Sequence, residues 1–267
     1  MVKGGTHVRQ GGESISCLET WLRLAGPKTM KQWKDGRSAK ESARAWLERA
    51  PDCVPAEIEQ ALSAHPDFGT ILPGWSAEPE ARVAFDSFGG EPSNLDVLLT
   101  TSDEEGQLVI AVEAKADEPF GNTVEKTLCQ ARKRKAENPA SRGVDRVEQL
   151  AAAILGVPGH KLPEVGELRY QLLTASAAAL AEAQRRCVGR AVLIIHEFAS
   201  DQTSCQKHLE NAEDLNAFVT KLSDGEVTSV AEGTVRGPFE LPGHPLIDSQ
   251  IRFYIGKAVR NLRGSSG

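Results

Sequence analysis

None of the five cysteines (Cys17, Cys53, Cys129, Cys187 and Cys205) forms a Cys-x-x-Cys pair, so neither a zinc ribbon nor a thioredoxin-type dithiol is expected. Their odd number, with no secretory leader at the start of the chain, suits a reducing, cytoplasmic compartment. The longest apolar runs, such as Ala191 to Ile195, fall far short of the ~20 residues of a spanning helix, so no membrane role is expected. Aromatic residues are 5% of the chain, too few to indicate a base-stacking platform. There is no GxGxxG after a strand, no GxxxxGK[ST], no GxSxG and no HExxH. Dinucleotide binding, P-loop phosphate transfer, serine hydrolysis and zinc proteolysis therefore lose their signatures. Lys and Arg number 31 against 37 Asp and Glu, a net charge of −6. This excludes a uniformly basic nucleic-acid coat but leaves room for a local basic face.

What is present is enough chain, 267 residues, for a core that needs neither metal nor disulfide. Residues 1–15 are glycine-rich and polar and read as a tail, as do 263–267; between them lies one α/β domain, 16–262. A helical extension occupies 16–70. It holds an amphipathic stretch from Ser16 to Leu24, a helix capped by Ser38 with Glu41 completing a capping box, and a third helix opened by Pro55. The core, 71–262, begins with a short strand candidate at Arg82 to Phe85. Two stronger strands follow, Leu95 to Thr100 and Leu108 to Ala114, joined by the polar turn Thr101 to Gly106 as a hairpin. Helical periodicity marks Val144 to Leu155, Glu167 to Arg186 and Cys205 to Leu222. Strands are expected at Ala191 to Phe198 and Ile251 to Val259. This order predicts a mixed sheet covered by helices on both faces.

The chemistry gathers at the end of a buried strand. Val109, Ala111, Glu113 and Lys115 alternate onto one face, so an apolar strand ends in a carboxylate and an amine on the same side. A turn centred between Glu104 and Glu105 pairs Leu98 with Ala111 and sets Asp96 opposite Glu113, with Cβ atoms ~5 Å apart. Two close carboxylates repel each other unless a proton or cation sits between them. Magnesium, or manganese, would settle both and activate a water near a phosphate, with Lys115 offsetting developing charge. A plain ion pair at a strand end is the competing reading of the same residues.

The segment Asn94-Leu95-Asp96 followed by Val112-Glu113-Ala114-Lys115 resembles the core of the PD-(D/E)XK nuclease superfamily. The resemblance implies a restriction-endonuclease-like mixed sheet flanked by helices, magnesium on Asp96 and Glu113, and Lys115 assisting phosphodiester hydrolysis. It departs from the superfamily pattern in one place: Leu95 stands where a proline usually precedes the aspartate. More narrowly, the runs Val112 to Gly121, Leu168 to Leu173 and Ala191 to Phe198 are similar to a group of uncharacterised bacterial nuclease-like proteins, over roughly residues 18–260. The superfamily often adds an upstream acid, for which Glu80 is the choice here, with Glu78, Glu57 and Glu59 as alternatives. It also often adds a glutamine or arginine from the next helix, which points to Gln171 for the water or metal and Arg169 for a phosphate. Glu118 is either a further residue near the metal or a cap, and His196 reads as a hydrogen-bonded core histidine.

Basic residues cluster twice. Seven lie between Lys126 and Arg146 against only Glu137 and Asp145; four lie between Arg252 and Arg263 with no acid. Arg146 and its neighbours are candidates for holding a phosphate backbone, and a solvated helix face accounts for the run as well. The resulting expectation is metal-dependent hydrolysis of nucleic acid, DNA before RNA, by a monomer or a homodimer. The alternative is an inactive nuclease-like module that binds nucleic acid or a partner protein.

Overall fold

The structure is a computed structural model, and it describes residues 7–50, 53–244, 246–247 and 250–262. The expected tails at 1–6 and 263–267 lie outside the described residues. Elements run in the order β1 (Arg9–Gln10), β2 (Glu13–Ser14), α1 (Leu18–Ala25), α2 (Ser38–Glu48), α3 (Ala56–Ser63), β3 (Ser76–Val83), β4 (Ser93–Asp103) and β5 (Gly106–Lys115). Then come α4 (Val124–Glu137), α5 (Gly143–Leu155), α6 (Tyr170–Arg185), β6 (Arg190–Ala199), α7 (Cys205–Leu222), β7 (Thr234–Phe239) and β8 (Arg252–Asn261).

Six strands form one mixed sheet in the order β3-β4-β5-β6-β8-β7. The β3-β4-β5 meander is antiparallel, β5-β6 and β6-β8 are parallel, and β7 returns antiparallel to β8. The centre is β5 and β6, whose Val, Leu and Ile residues are buried on both faces. Each such side chain contributes ~1.5–3 kcal/mol of burial, which β-branched residues on a pleated surface collect without losing much side-chain freedom. One face packs on α4 to α7 through Leu128, Val147, Leu150, Leu172, Ala179 and Phe218. The other packs on α1 to α3 through Trp21, Trp46, Ile58 and Leu62. The chain is thus an α/β fold with a mixed sheet flanked by helices.

Several local expectations are corrected. Residues 7–15 do not trail: β1 and β2 pair, Val8 and Ile15 are buried, and Val8 bridges to Ala77 at the sheet edge. Their glycines make the turn, with Gly11 and Gly12 at φ 56 and 85. Ser38 does not cap α2. It is the first helical residue, and its hydroxyl donates to Glu118 Oε1, while Glu41 accepts the Gly36 N–H at 2.8 Å, so the anticipated box is not formed. The first core strand starts at Ser76 rather than Arg82 and contains Pro79, which the sheet edge tolerates. Two elements lacked an apolar signal: α4 buries only Val124, Leu128 and Ala131, and β7 is interrupted by Gly237 and Pro238.

Candidate active site

Site geometry starts from an irregularity shared by β3 and β4. Register is regular on both sides of it, with Pro79 opposite Val97 and Ala81 opposite Leu95. Yet Val97 and Ala77 lie in the core under α1–α3, whereas Leu95 and Ala81 lie in the core under α4–α6. Positions an even number apart should share a face, so both strands slip by one between these pairs, at Glu80 and Asp96. Glu80 carries the strain of the slip as a φ of 50 on a non-glycine residue. The slip takes Asp96 out of the regular ladder to β5, which begins at Val97↔Val112. Asp96 Oδ2 instead accepts the Ala114 N–H at 2.7 Å, a side chain replacing a strand carbonyl. Glu80 is hydrogen-bonded by Asn94 Nδ2.

Beside this slip, β5 keeps its expected register, with Leu98 opposite Ala111 and Val109 and Ala111 in the α4–α6 core. Glu113 is therefore aimed at the helices and is 1% exposed. Its Oε2 accepts the Gln171 Nε2 hydrogen bond from α6 at 2.6 Å, and Lys115 Nζ stands 3.6 Å from the same oxygen. Its Oε1 is buried with no partner. Burial pushes Glu113 up to about 8, the Asp96 charge adds to the rise and Lys115 opposes it. Asp96 is only half-buried as a residue, but its carboxyl group is enclosed. Burial raises it too, against Lys115 and the Ala114 N–H. Glu80 is raised by burial and secondarily by Asp96. Three carboxyls on neighbouring strands are thus shifted upward from their ordinary values, and the amine among them, Lys115, is 6% exposed and packs 5.3 Å from the Phe120 ring centroid.

Glu113 and Gln171 form part of the wall of a cleft of ≈ 660 Å³. Opposite walls are the segment Phe85 to Asn94 and the α4–α5 junction, which brings Arg134, Arg142 and Arg146 to the cavity. Arg146 is committed to holding the first wall. Its Nε is 2.7 Å from Asp86 Oδ2, without hydrogen-bond alignment, its Nη2 donates to Glu91 O at 2.7 Å, and it stacks 4.4 Å from Phe85. Arg169 is not in the cleft; it pairs with Asp214 of α7 at 2.8 Å and donates to Gly121 O.

The other candidates lie elsewhere. Glu118 accepts from the Ala116 N–H at 2.8 Å and from Ser38, the capping role. Glu57 meets His196 at 2.7 Å and Arg260 at 2.6 Å in a network away from Glu113, so His196 is a hydrogen-bonded core residue. Glu59 pairs with Arg49 and Glu78 is exposed. A second buried polar group went unnoticed in the sequence: Glu197 between Lys257 at 2.6 Å and His208 at 2.5 Å. The parallel register of β5 and β6 puts Glu197 beside Lys115, a pairing that only the assembled sheet sets.

Among the described residues, no group of three or more His, Cys, Asp or Glu is arranged to hold a metal ion. What fits a hard cation is narrower: two neighbouring carboxyls whose charges disfavour each other, one with an unpartnered buried oxygen.

A family model matches residues 14–261, and the chain belongs to that family, described as a domain of unknown function (DUF6946). Neither the curated proteins nor the solved structures contain a match.

Proposed function

We propose that the protein is a metal-dependent nuclease of the PD-(D/E)XK type, with a restriction-endonuclease-like core. The observation that carries this reading is Glu113: a buried carboxyl at a strand end, with one oxygen unpartnered, next to Asp96 and Lys115 and opening onto an arginine-lined cleft. Asp96 and Glu113 would hold magnesium or manganese, with Glu80 as the neighbouring acid. The bound ion would supply a water of lowered pKa and polarise the phosphoryl oxygens. Magnesium commonly uses one or two carboxylates and completes its shell with waters and substrate phosphate, so two protein ligands suffice. Gln171 holds Glu113 through its 2.6 Å hydrogen bond to Oε2, which leaves the unpartnered Oε1 as the oxygen that would hold the cation. Lys115 offsets charge on the phosphate in the transition state. Arg142 and Arg134 attract the nucleic-acid backbone.

The test is cleavage of linear duplex, supercoiled and single-stranded DNA and of RNA, with magnesium, with manganese and with EDTA. Metal-dependent cleavage should fall at least a hundredfold in Glu113→Gln and in Lys115→Ala, with folding checked by circular dichroism. Cleavage that persists in both variants sinks the assignment. A module that binds without cutting is the second reading, supported by the enclosure of Glu113, which is 1% exposed and already held by Gln171 and Lys115. That reading gains if calorimetry finds no magnesium or manganese binding that depends on Glu113.

A further inference from the structure

Positive charge gathers along the cleft where α4 meets α5, offset by Asp145 in the first turn of α5. α5 starts at Gly143 with no side-chain cap, and Gly143 lines the cavity, so the positive end of a 13-residue helix faces it. Beside it stands Arg134 of α4: a Cβ added at Gly143 would lie 3.7 Å from Arg134 Nη2. Arg134 is exposed and makes no ion pair or side-chain hydrogen bond among the described residues. The acid nearby, Asp145, is engaged by Arg142 at 2.5 Å and by Lys135 at 3.2 Å. A guanidinium against a helix N-terminus is repulsive unless an anion lies between them, and a phosphate diester satisfies both. The same cleft is lined by Glu113, whose Oε1 is buried and unpartnered, an independent sign that the cavity takes a ligand.

Shape decides which nucleic acid fits. Glu113 is 1% exposed, so a phosphate must enter the cleft to approach it. A paired duplex presents its phosphates on a stiff convex surface and cannot fold into such a recess; a single strand can. The recess also has aromatic walls that the low aromatic content concealed. Phe88 is half-buried, with the Arg142 guanidinium 4.8 Å from its ring centroid, and Phe85 and Tyr170 also line the cleft. Successive bases can stack on such a ring and on a guanidinium plane, whatever their identity.

We propose that the cleft binds single-stranded nucleic acid, with one backbone phosphate between Arg134 and the α5 N-terminus and a base against Phe88 and Arg142. This names the substrate class of the nuclease reading and rests on it. The test is fluorescence anisotropy in EDTA, where nothing is cut, with labelled oligothymidylate of about 20 nucleotides and a hairpin duplex of similar length. The single strand should bind at least tenfold more tightly. Arg134→Glu should weaken single-strand binding about tenfold or more and lower the salt slope by about 0.7, the share of one phosphate contact. Phe88→Ala should weaken it about fivefold or more. Equal or tighter duplex binding, no single-strand binding, or unchanged affinity in Arg134→Glu would overturn the proposal, even if metal-dependent cleavage at Glu113 is intact. No metal-dependent cleavage of any substrate by the wild type, with single-strand binding retained, would instead remove the nuclease reading.

Discussion

At the scale of single residues, Glu113 governs how the protein responds to pH. Its unfolded carboxyl titrates near 4.5 and its folded one near 8, so between these values the folded state binds the extra proton. Stability from this group is full below the unfolded value and is lost as pH rises toward and through 8; Asp96 shifts in the same direction. The melting temperature of metal-free protein should therefore fall from pH 5.5 to 8.5 on this account, by about 2–4 °C per kcal/mol lost. Glu113→Gln, neutral throughout, should flatten that fall. Magnesium added at pH 8 should restore part of it in the wild type and none in the variant. Calorimetry across pH checks all three, and a slope identical in both proteins would place the buried proton elsewhere. Of the site residues, Glu113 and Lys115 were legible as a period of two and the β4–β5 register as a turn position; the expected pairing of Asp96 directly opposite Glu113 is not formed, because the ladder starts at Val97↔Val112 and Asp96 accepts the Ala114 N–H instead. The Gln171 contact followed from a resemblance, while the commitment of Arg169 to Asp214 depended on α7 and carried no local signal.

Among elements, the β4–β5 hairpin places the site, and a buried charge pair secures its turn end. Arg190 of β6 donates from both Nη atoms to Asp103, at 2.9 and 2.5 Å, with both side chains 2% exposed. Burial works to raise the Asp103 carboxyl, but the Arg190 hydrogen bonds and the Gly69 N–H outweigh it and hold it below its usual range. Asp103→Ala leaves the Arg190 charge buried with its main partner gone, so it should cost ~3–5 kcal/mol in urea unfolding. A loss under 1 kcal/mol would show that the Asp67 and Gly106 carbonyls, which Arg190 also reaches, carry the charge alone. The same hairpin explains a limit of pattern reading. Strict alternation between the two cores holds over Leu99, Leu98 and Val97 and is broken by Leu95, and a positive φ at Glu80 has no signature in residue type.

For the molecule as a whole, the sheet joins two cores that flank it. Trp46 and Ile58 of the N-terminal helices are fully buried against one face, and α4–α7 cover the other. Because both cores share β4, β5 and β6, they should unfold together. Trp46→Ala should lower stability by ~3–5 kcal/mol. In the wild type, tryptophan fluorescence, which reports the N-terminal side, should coincide with far-ultraviolet circular dichroism in one urea transition. Two separated midpoints would show the N-terminal helices to be a unit apart from the sheet.

Hydrophobic period and turn chemistry are local properties, and they suffice for the central strands, the hairpin register, the face shared by Glu113 and Lys115, and most helices. The sequence by itself determined these because each depends on residues close along the chain. Tertiary structure alone decided the slip at Glu80 and Asp96, the incorporation of residues 7–15 at the sheet edge, and the presence of α4 and β7, whose burial comes from neighbours distant in sequence. It also decided which of the candidate arginines are spent on the protein and which, among the described residues, has no ionic partner. Arg146 and Arg169 find carboxylates on other elements, whereas Arg134 is left facing a helix end, because charge pairing depends on distances that only the packed chain sets.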